Sequence, residues 1–221
     1  MKEDIINKII NYIKTNRVST TEIADCMGKI GVIKEAKSLN KQHFKVGKVH
    51  YCYADNESNW NVHKLIQDVE KNSVVFIDDL GTNGRAIFGD LVAKYLLLYK
   101  QVAAIVTNGY VRDAHTLIKE NYPIWCKGVN PVGCFNTEPQ HPIDNITLSQ
   151  RKEYFENSII VGDDTGVVVI TKEYINNEFY KKLEWIEEQE DIWFECIDRK
   201  KWSTFETVCL KKYKSRERES K

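Results

Sequence analysis

Isoleucines at 5, 6, 9, 10 and 13 recur at helical spacing, so the chain opens on an amphipathic helix. Ser19-Thr20-Thr21-Glu22 has the capping-box form, in which a Ser or Thr and a Glu three residues later each satisfy a backbone N–H of the other. The helix it starts is predicted to run to about Met27 and to close at Gly28. Lys45 to Tyr53, with Val46, Val49, Tyr51 and Tyr53, reads as a strand, and Trp60 to Lys71 as a helix through Val62, Leu65, Ile66 and Val69. Ser73 to Ile77 is a short buried strand that ends in Asp78-Asp79-Leu80-Gly81. After a loop holding Gly81, Asn83 and Gly84, the stretch from Ala86 predicts a long helix to about Tyr99. Val102 to Val106 reads as a strand buried on both faces, Ala114 to Asn121 as a helix, and Ile124-Trp125-Cys126 as a strand. This β-α-β-α-β rhythm argues for an α/β domain. Pro131, Pro139 and Pro142 predict a long ordered loop over 130–150, and Ser158 to Ile170 reads as a β-hairpin turning at Gly162-Asp163-Asp164-Thr165-Gly166. From Thr171 the pattern turns helical with a heavy aromatic load, including Trp185, Trp193, Phe194 and Trp202, before a polar end over Lys211–Lys221 that is predicted to fray.

The 221 residues suit one domain plus an appendage: an α/β domain over 1–171, with its N-terminal helices in 1–28, and a helical extension over 172–221. The 32 basic and 32 acidic residues balance, which gives no push toward nucleic acid or an anionic membrane. No apolar run approaches the roughly 18 residues that span a bilayer. The start is amphipathic without a secretory apolar core, so a cytoplasmic location is expected. Cysteines at 26, 52, 126, 134, 196 and 209 include no C-x-x-C spacing and are read as reduced. The five histidines show no zinc-binding pairing.

Candidate chemistry gathers where strands end. The strand at 102–106 breaks at Asn108-Gly109 and leads to Arg112-Asp113, and ligands of open α/β sheets bind beyond the carboxyl ends of strands. Arginine can fork onto a carboxylate or an enolate oxygen, and one aspartate can hold Mg²⁺ largely through water. Gly89-Asp90-Leu91-Val92 opens a helix, where a small carboxylate could sit on the amides around Asp90 and Leu91. Asp78 and Asp79 stand at a comparable strand end and could add contacts to metal-bound water; ion pairing with nearby lysines is the plainer reading. Gly162 to Gly166 lacks the ligand alternation of a calcium loop and is read as turn chemistry.

Asp79-Leu80-Gly81, Gly89-Asp90-Leu91-Val92-Ala93, Gly109-Tyr110-Val111-Arg112-Asp113 and Gly162-Asp163-Asp164-Thr165-Gly166-Val167-Val168-Val169 occur in that order. Together with Ser19-Thr20-Thr21 and Ala24-Asp25, over about residues 17–171, they resemble the family of the regulator of ribonuclease E activity A. That family also holds the 4-hydroxy-4-methyl-2-oxoglutarate aldolases. The resemblance implies an α/β/α sandwich of the phosphohistidine-domain type, here with a C-terminal helical extension. It implies a homotrimer or a pair of trimers, with the active site in the cleft between subunits. It also implies Mg²⁺, or another divalent metal such as Mn²⁺, on Asp113, with Asp90 beside the metal waters. Arg112 is then implied to contact a 2-oxo acid whose carboxylate rests on the amides of Gly89 to Val92. The chain departs from the family at Phe155-Glu156-Asn157-Ser158, where a Pro-Gly-Asp turn is usual, and over 130–150.

Three functions are therefore in view. The first is a metal-dependent lyase that cleaves a short 2-oxo acid through a pyruvate enolate, by retro-aldol reaction or oxaloacetate decarboxylation. The second is a non-catalytic regulator that binds a protein partner through the aromatic C-terminal extension. The third is a sugar- or nucleotide-pathway substrate in the same cleft.

Overall fold

The computed structural model describes residues 2–216; residues 217–221 of the predicted polar end lie outside the described residues. Helices α1 (Lys2–Asn16) and α2 (Thr20–Cys26) lead into strands β1 (Lys37–Ser38) and β2 (Lys45–Asp55), then α3 (Trp60–Leu65), β3 (Val74–Leu80), β4 (Ala86–Phe88) and α4 (Asp90–Lys94). Next come β5 (Ala104–Thr107), β6 (Tyr110–Val111), α5 (Ala114–Lys119), β7 (Ile124–Cys126), β8 (Gly128–Val129) and α6 (Asn145–Phe155). The hairpin β9 (Ile159–Gly162) and β10 (Val167–Ile170) precedes α7 (Asn177–Asp198) and α8 (Tyr213–Arg216).

Seven strands form one mixed sheet in the order β1-β7-β5-β3-β2-β9-β10. Its centre, β2, β3, β5 and β7, is parallel, and the flanking pairs are antiparallel. A small parallel sheet, β4-β6-β8, stands beside it. Alternation along the strands assigns the cores. Val75, Ile77 and Ile105 face one side with Ile87, Phe88, Val92 and Leu117, while Val74, Phe76, Val106 and Trp125 face the other with Phe155 of α6. Helices on both faces make parallel strands wholly apolar, which is why β5 reads Ala-Ile-Val-Thr without a polar face. A third cluster joins Ile9 and Ile13 of α1 to Val161, Ile170 and, from the start of α7, Phe179 and Leu183. The mixed α/β architecture is the one expected.

The capping box at Ser19 forms with both bonds: Ser19 Oγ accepts from Glu22 N–H and the Glu22 carboxylate accepts from Ser19 N–H at 2.7 Å. Three elements differ from expectation. Ala86-Ile87-Phe88 is strand β4, not the start of a helix. A three-residue apolar run carries no period, and here it pairs with β6 before Gly89 releases the chain into α4. The helix predicted over Trp60–Lys71 ends at Leu65 and gives way to a single 3-10 turn, Ile66–Asp68. The loop predicted over 130–150 gives way at 145 to helix α6, capped where Asp144 accepts from Thr147 N–H at 2.8 Å. Its apolar residues lack helical spacing, so it offers no pattern to read; what docks it is an ion pair with a buried carboxylate.

That pair is Asp78, fully buried at the end of β3, with Arg151 of α6. Arg151 donates from Nε at 2.7 Å and from Nη2 at 2.9 Å, a two-pronged contact. Tyr51 Oη and Asn108 Nδ2 donate to the same carboxylate at 3.0 and 2.9 Å, so all its acceptor positions are used. Burial and the Asp78 charge push the Tyr51 hydroxyl up, and the Asp78 hydrogen bonds push Arg151 up. The lysine pairing expected for Asp78 is therefore replaced by an arginine 73 residues away. Asp79 turns its carboxylate to the loop instead, accepting from Thr82 N–H and Oγ1 at 2.8 Å. Arg151→Ala strands a buried carboxylate, and chemical denaturation should show a loss of about 3–5 kcal/mol. Adding Asp78→Asn to that variant should restore part of the loss, because the carboxamide leaves no charge without a counter-ion.

Candidate functional site

Asp113 precedes α5 with φ at 58°, in the left-handed region that few non-glycine residues adopt and that aspartate, like asparagine, tolerates. As the N-cap of α5 its carboxylate would ordinarily hold an N–H of its own helix, and it does not. Its Oδ2 accepts the backbone N–H of Asp90 at 3.0 Å, reaching across to the start of α4. The carboxylate is thus spent on the start of α4 and not on its own helix.

Two strand ends are brought together to make this contact. β4 and β6 run parallel, and Arg112 N–H donates to Phe88 carbonyl at 2.9 Å, which sets Gly89 directly against Arg112-Asp113. A Cβ built on Gly89 would overlap Asp113 Oδ2 and lie 2.8 Å from Arg112 Cγ. On the far side, a Cβ on Gly133 would come within 2.7 Å of Arg112 Nη1. Arg112 is thus clasped between two glycines. Its Nε is 3.8 Å from Asp113 Oδ2, with the side chains 48% and 45% exposed, so the pair is loose and both charges stay available to a ligand.

A cavity of about 140 Å³ opens on these groups, lined by Gly89, Leu91, Val92, Arg112 and Asp113 on one side and by Asn59, His63, Gly133, Cys134 and Asn136 on the other. The first intrahelical bond of α4 runs from Ala93 N–H to Gly89 carbonyl at 3.1 Å, so Leu91 and Val92 N–H precede it, and that of Asp90 is taken by Asp113. Leu91, 80% exposed, projects from the rim. Asp90 itself does not line the cavity. Its Oδ1 is buried with no hydrogen-bond partner among the described residues, and it lies electrostatically close to Tyr122, whose hydroxyl is likewise unpartnered. Burial, then the Asp79 charge, pushes the Cys134 thiol up to about 12, which keeps it protonated and unreactive. Partial burial lowers the His63 imidazole.

Gly89, Asp90, Leu91, Val92, Arg112 and Asp113 are the residues expected together; the fold gathers all of them except the Asp90 side chain, which is buried away from the cavity, and Asp78 and Asp79 stay outside it as well. Asn59, His63, Gly133, Cys134 and Asn136 were not anticipated. A signal existed for the first: Asn56-Glu57-Ser58-Asn59 is a polar cluster at the carboxyl end of β2, the same kind of strand end that singled out Arg112. The Gly133–Asn136 wall gave none, because it comes from a segment with no periodicity.

Gly89→Ala forces a methyl into Asp113 and Arg112 and should cost about 1–3 kcal/mol, seen as a lower thermal midpoint. The loss should exceed that of Gly28→Ala, where the added Cβ meets nothing within 4 Å and only the positive φ opposes it.

A family model described as RraA-like, Aldolase/RraA, matches residues 20–169. The chain is 30% identical over 171 residues to a protein of Halalkalibacterium halodurans named "Putative 4-hydroxy-4-methyl-2-oxoglutarate aldolase", covering 74% of this chain and 78% of that one. It is 26% identical over 188 residues to protein DlpA of Legionella pneumophila, covering 80% of this chain but 29% of DlpA, so it spans under a third of that relative. Among solved structures, a Pseudomonas syringae protein of undescribed function superposes with a TM-score of 0.68 at 21% identity, covering 90% of this chain and 96% of its own. RraAS2 of Streptomyces coelicolor, titled an unusual member of the RNase ES inhibitor RraA family, superposes at 0.65 and 18% identity, covering 83% and 95%. With two thirds of its length matched in one block and its fold shared at low identity, the chain belongs to the RraA-like family.

Proposed function

We propose that the chain is a divalent-metal-dependent lyase that breaks a C–C bond in a short 2-oxo acid, as a 4-hydroxy-2-oxo acid aldolase, an oxaloacetate decarboxylase, or both. The observation that carries this reading is the Asp113 carboxylate, held off its own helix in a left-handed conformation and presented with Arg112 to one cavity. The relative named as an aldolase supports the same reaction class.

Among the described residues there is no group of three or more His, Cys, Asp or Glu side chains placed to hold a metal. A single aspartate at the cavity suits Mg²⁺, which takes one or two carboxylates and keeps several waters. Asp113 would hold the ion, with its carboxylate fixed by the backbone N–H of Asp90, whose own side chain stays out of the cavity. When bound, the ion supplies Lewis-acid stabilisation of negative charge on a keto oxygen.

The chain's own groups account for the rest. Leu91 and Val92 N–H take the substrate carboxylate at the start of α4. Arg112, half-exposed and loosely paired, places its guanidinium against the keto oxygen, where negative charge grows as the C–C bond breaks. The released three-carbon fragment is the enolate of pyruvate in both reactions. Exposed Leu91 and the half-exposed charge pair leave the cavity open on one side, which a neighbouring subunit of a trimer or hexamer would close.

A protein-binding reading has one observation of its own: Trp185 and Phe194 of α7 and Phe205 beyond it are large aromatic side chains left exposed on the C-terminal extension. Phe179 and Leu183 of the same helix sit in the core, so deletion from 172 onward would damage the fold. Trp185→Ala with Phe194→Ser tests the surface without that damage. Loss of a co-purifying partner with unchanged turnover would establish it as a separate function.

Pyruvate release from oxaloacetate and from 4-hydroxy-2-oxo acids should require Mg²⁺ or Mn²⁺ and stop on chelation. Asp113→Asn should abolish the metal-dependent rate, and Arg112→Lys should lower kcat by roughly 10²–10³-fold. Turnover that ignores metal, or none across the panel, would sink the lyase reading.

A further inference from the structure

Retro-aldol cleavage and decarboxylation leave the same enolate but differ by one proton. A 4-hydroxy-2-oxo acid has to lose its hydroxyl proton as the C–C bond breaks, whereas oxaloacetate arrives with its departing carboxylate already ionised. The first reaction therefore needs a base in the cavity, and the second does not.

His63 is the lining residue with a base to offer. It stands in the last turn of α3, is partly exposed, and lines the cavity that Arg112 and Asp113 line. Its backbone is spent: the N–H donates to Asn59 carbonyl at 3.2 Å, and the carbonyl accepts from Gln67 Nε2 at 3.4 Å. The imidazole makes no hydrogen bond among the described residues. Partial burial alone lowers it from the usual histidine value, with no contribution from Lys64 of its own helix or from Arg112 and Asp113 of the cavity. At neutral pH one ring nitrogen then keeps a free lone pair. The other polar side chains of the lining are unsuited to the task. Arg112 stays cationic, and Asn59 and Asn136 carry carboxamides, which are not basic. Cys134 is held protonated, its thiol pushed up to about 12. Asp113 gives Oδ2 to the Asp90 N–H at 3.0 Å and is the group assigned to the cation.

We propose that His63 is the general base of the retro-aldol reaction, its neutral imidazole taking the proton of the substrate's 4-hydroxyl. The O–H electron pair becomes the second bond of the departing carbonyl group, the C–C bond beside it breaks, and that bond's electron pair enters the enolate of pyruvate. The imidazolium then returns the proton to the enolate carbon, which gives pyruvate and restores the neutral ring. No oxidant, reductant or further reactant is needed. This rests on the lyase reading for the identity of the substrate. It goes beyond that reading by assigning the proton transfer, which neither Arg112 nor the amides of Leu91 and Val92 can perform.

The test measures pyruvate release by the full chain with Mg²⁺ from a 4-hydroxy-2-oxo acid and from oxaloacetate, side by side. In the native protein kcat/KM for the hydroxy acid should fall on the acid side, as the imidazole takes a proton, with an apparent pKa below about 6.5. His63→Gln should lower the retro-aldol rate by roughly 10²–10⁴-fold and erase that acid limb. Decarboxylation should fall by less than about tenfold, because an enolate can take its proton from water. Free imidazole should restore part of the retro-aldol rate to His63→Ala, which a merely structural role would not allow. Equal losses on both substrates, or an acid limb that persists in His63→Gln, overturn the proposal. Failure of the lyase reading is distinguishable: the native chain then releases pyruvate from neither substrate, whereas failure of the His63 role alone leaves native turnover in place and the variants no more impaired on one substrate than on the other.

Discussion

The close approach of Gly89 to Arg112-Asp113 is the contact on which the site depends. Hydrogen bonding between β4 and β6 brings two chain segments 23 residues apart so near that one of them can carry no side chain. With a glycine there, the Asp113 carboxylate reaches the first amide of α4. That bond then holds Asp113 in a left-handed conformation that its own helix gives it no reason to keep. Strain of this type persists only where the surroundings over-determine it. Here the surroundings are a short three-stranded parallel sheet, whose pairing sets these residues side by side.

A second layer of polar contacts supports the cavity from behind. Asn108 Nδ2 donates to Asp78 at 2.9 Å, while its Oδ1 accepts from Asp79 N–H at 2.7 Å, so one amide side chain clamps the end of β3. One side of that clamp leads through Asp78 and Arg151 to α6, which lies on the opposite face of the sheet from the cavity. Its other side leads through Asp79 to the 79–82 turn and onward to Arg85, whose Nη1 donates to the Gly133 carbonyl at 3.2 Å. Gly133 in turn bounds Arg112. Helix α6 and the cavity wall are thus fixed by polar groups gathered at one sheet edge, with apolar packing filling the space around them.

How much of this could be read from the sequence divides along the chain's own length scales. The capping box, the buried strands 74–77 and 104–106 and the closing hairpin are local patterns with a period, and they were legible. Arg112-Asp113 and Gly89 to Val92 were legible because charge and glycine directly follow apolar runs. Strand β4 was misread as helix, since three apolar residues have no period of their own. Helix α6 was missed because its docking is a salt bridge to residue 78 and its residues show no apolar stripe. Asn59 stands in a polar cluster at the end of β2 that sequence does display, whereas the 133–136 wall depends on contacts spanning tens of residues, which no window of sequence displays.

The same division bears on why one family can contain both proteins named as aldolases and proteins named as inhibitors of RNA processing. The half of the site that would hold a carboxylate, a keto oxygen and a cation is written in two short local stretches, 89–92 and 112–113. Local stretches of this kind can be retained whether or not the opposite wall still fits a substrate, so they cannot by themselves separate catalyst from binder. The opposite wall is assembled from 59–63 and 133–136 and secured by a strap running to 143, and it can change with loop sequence while the fold stays fixed.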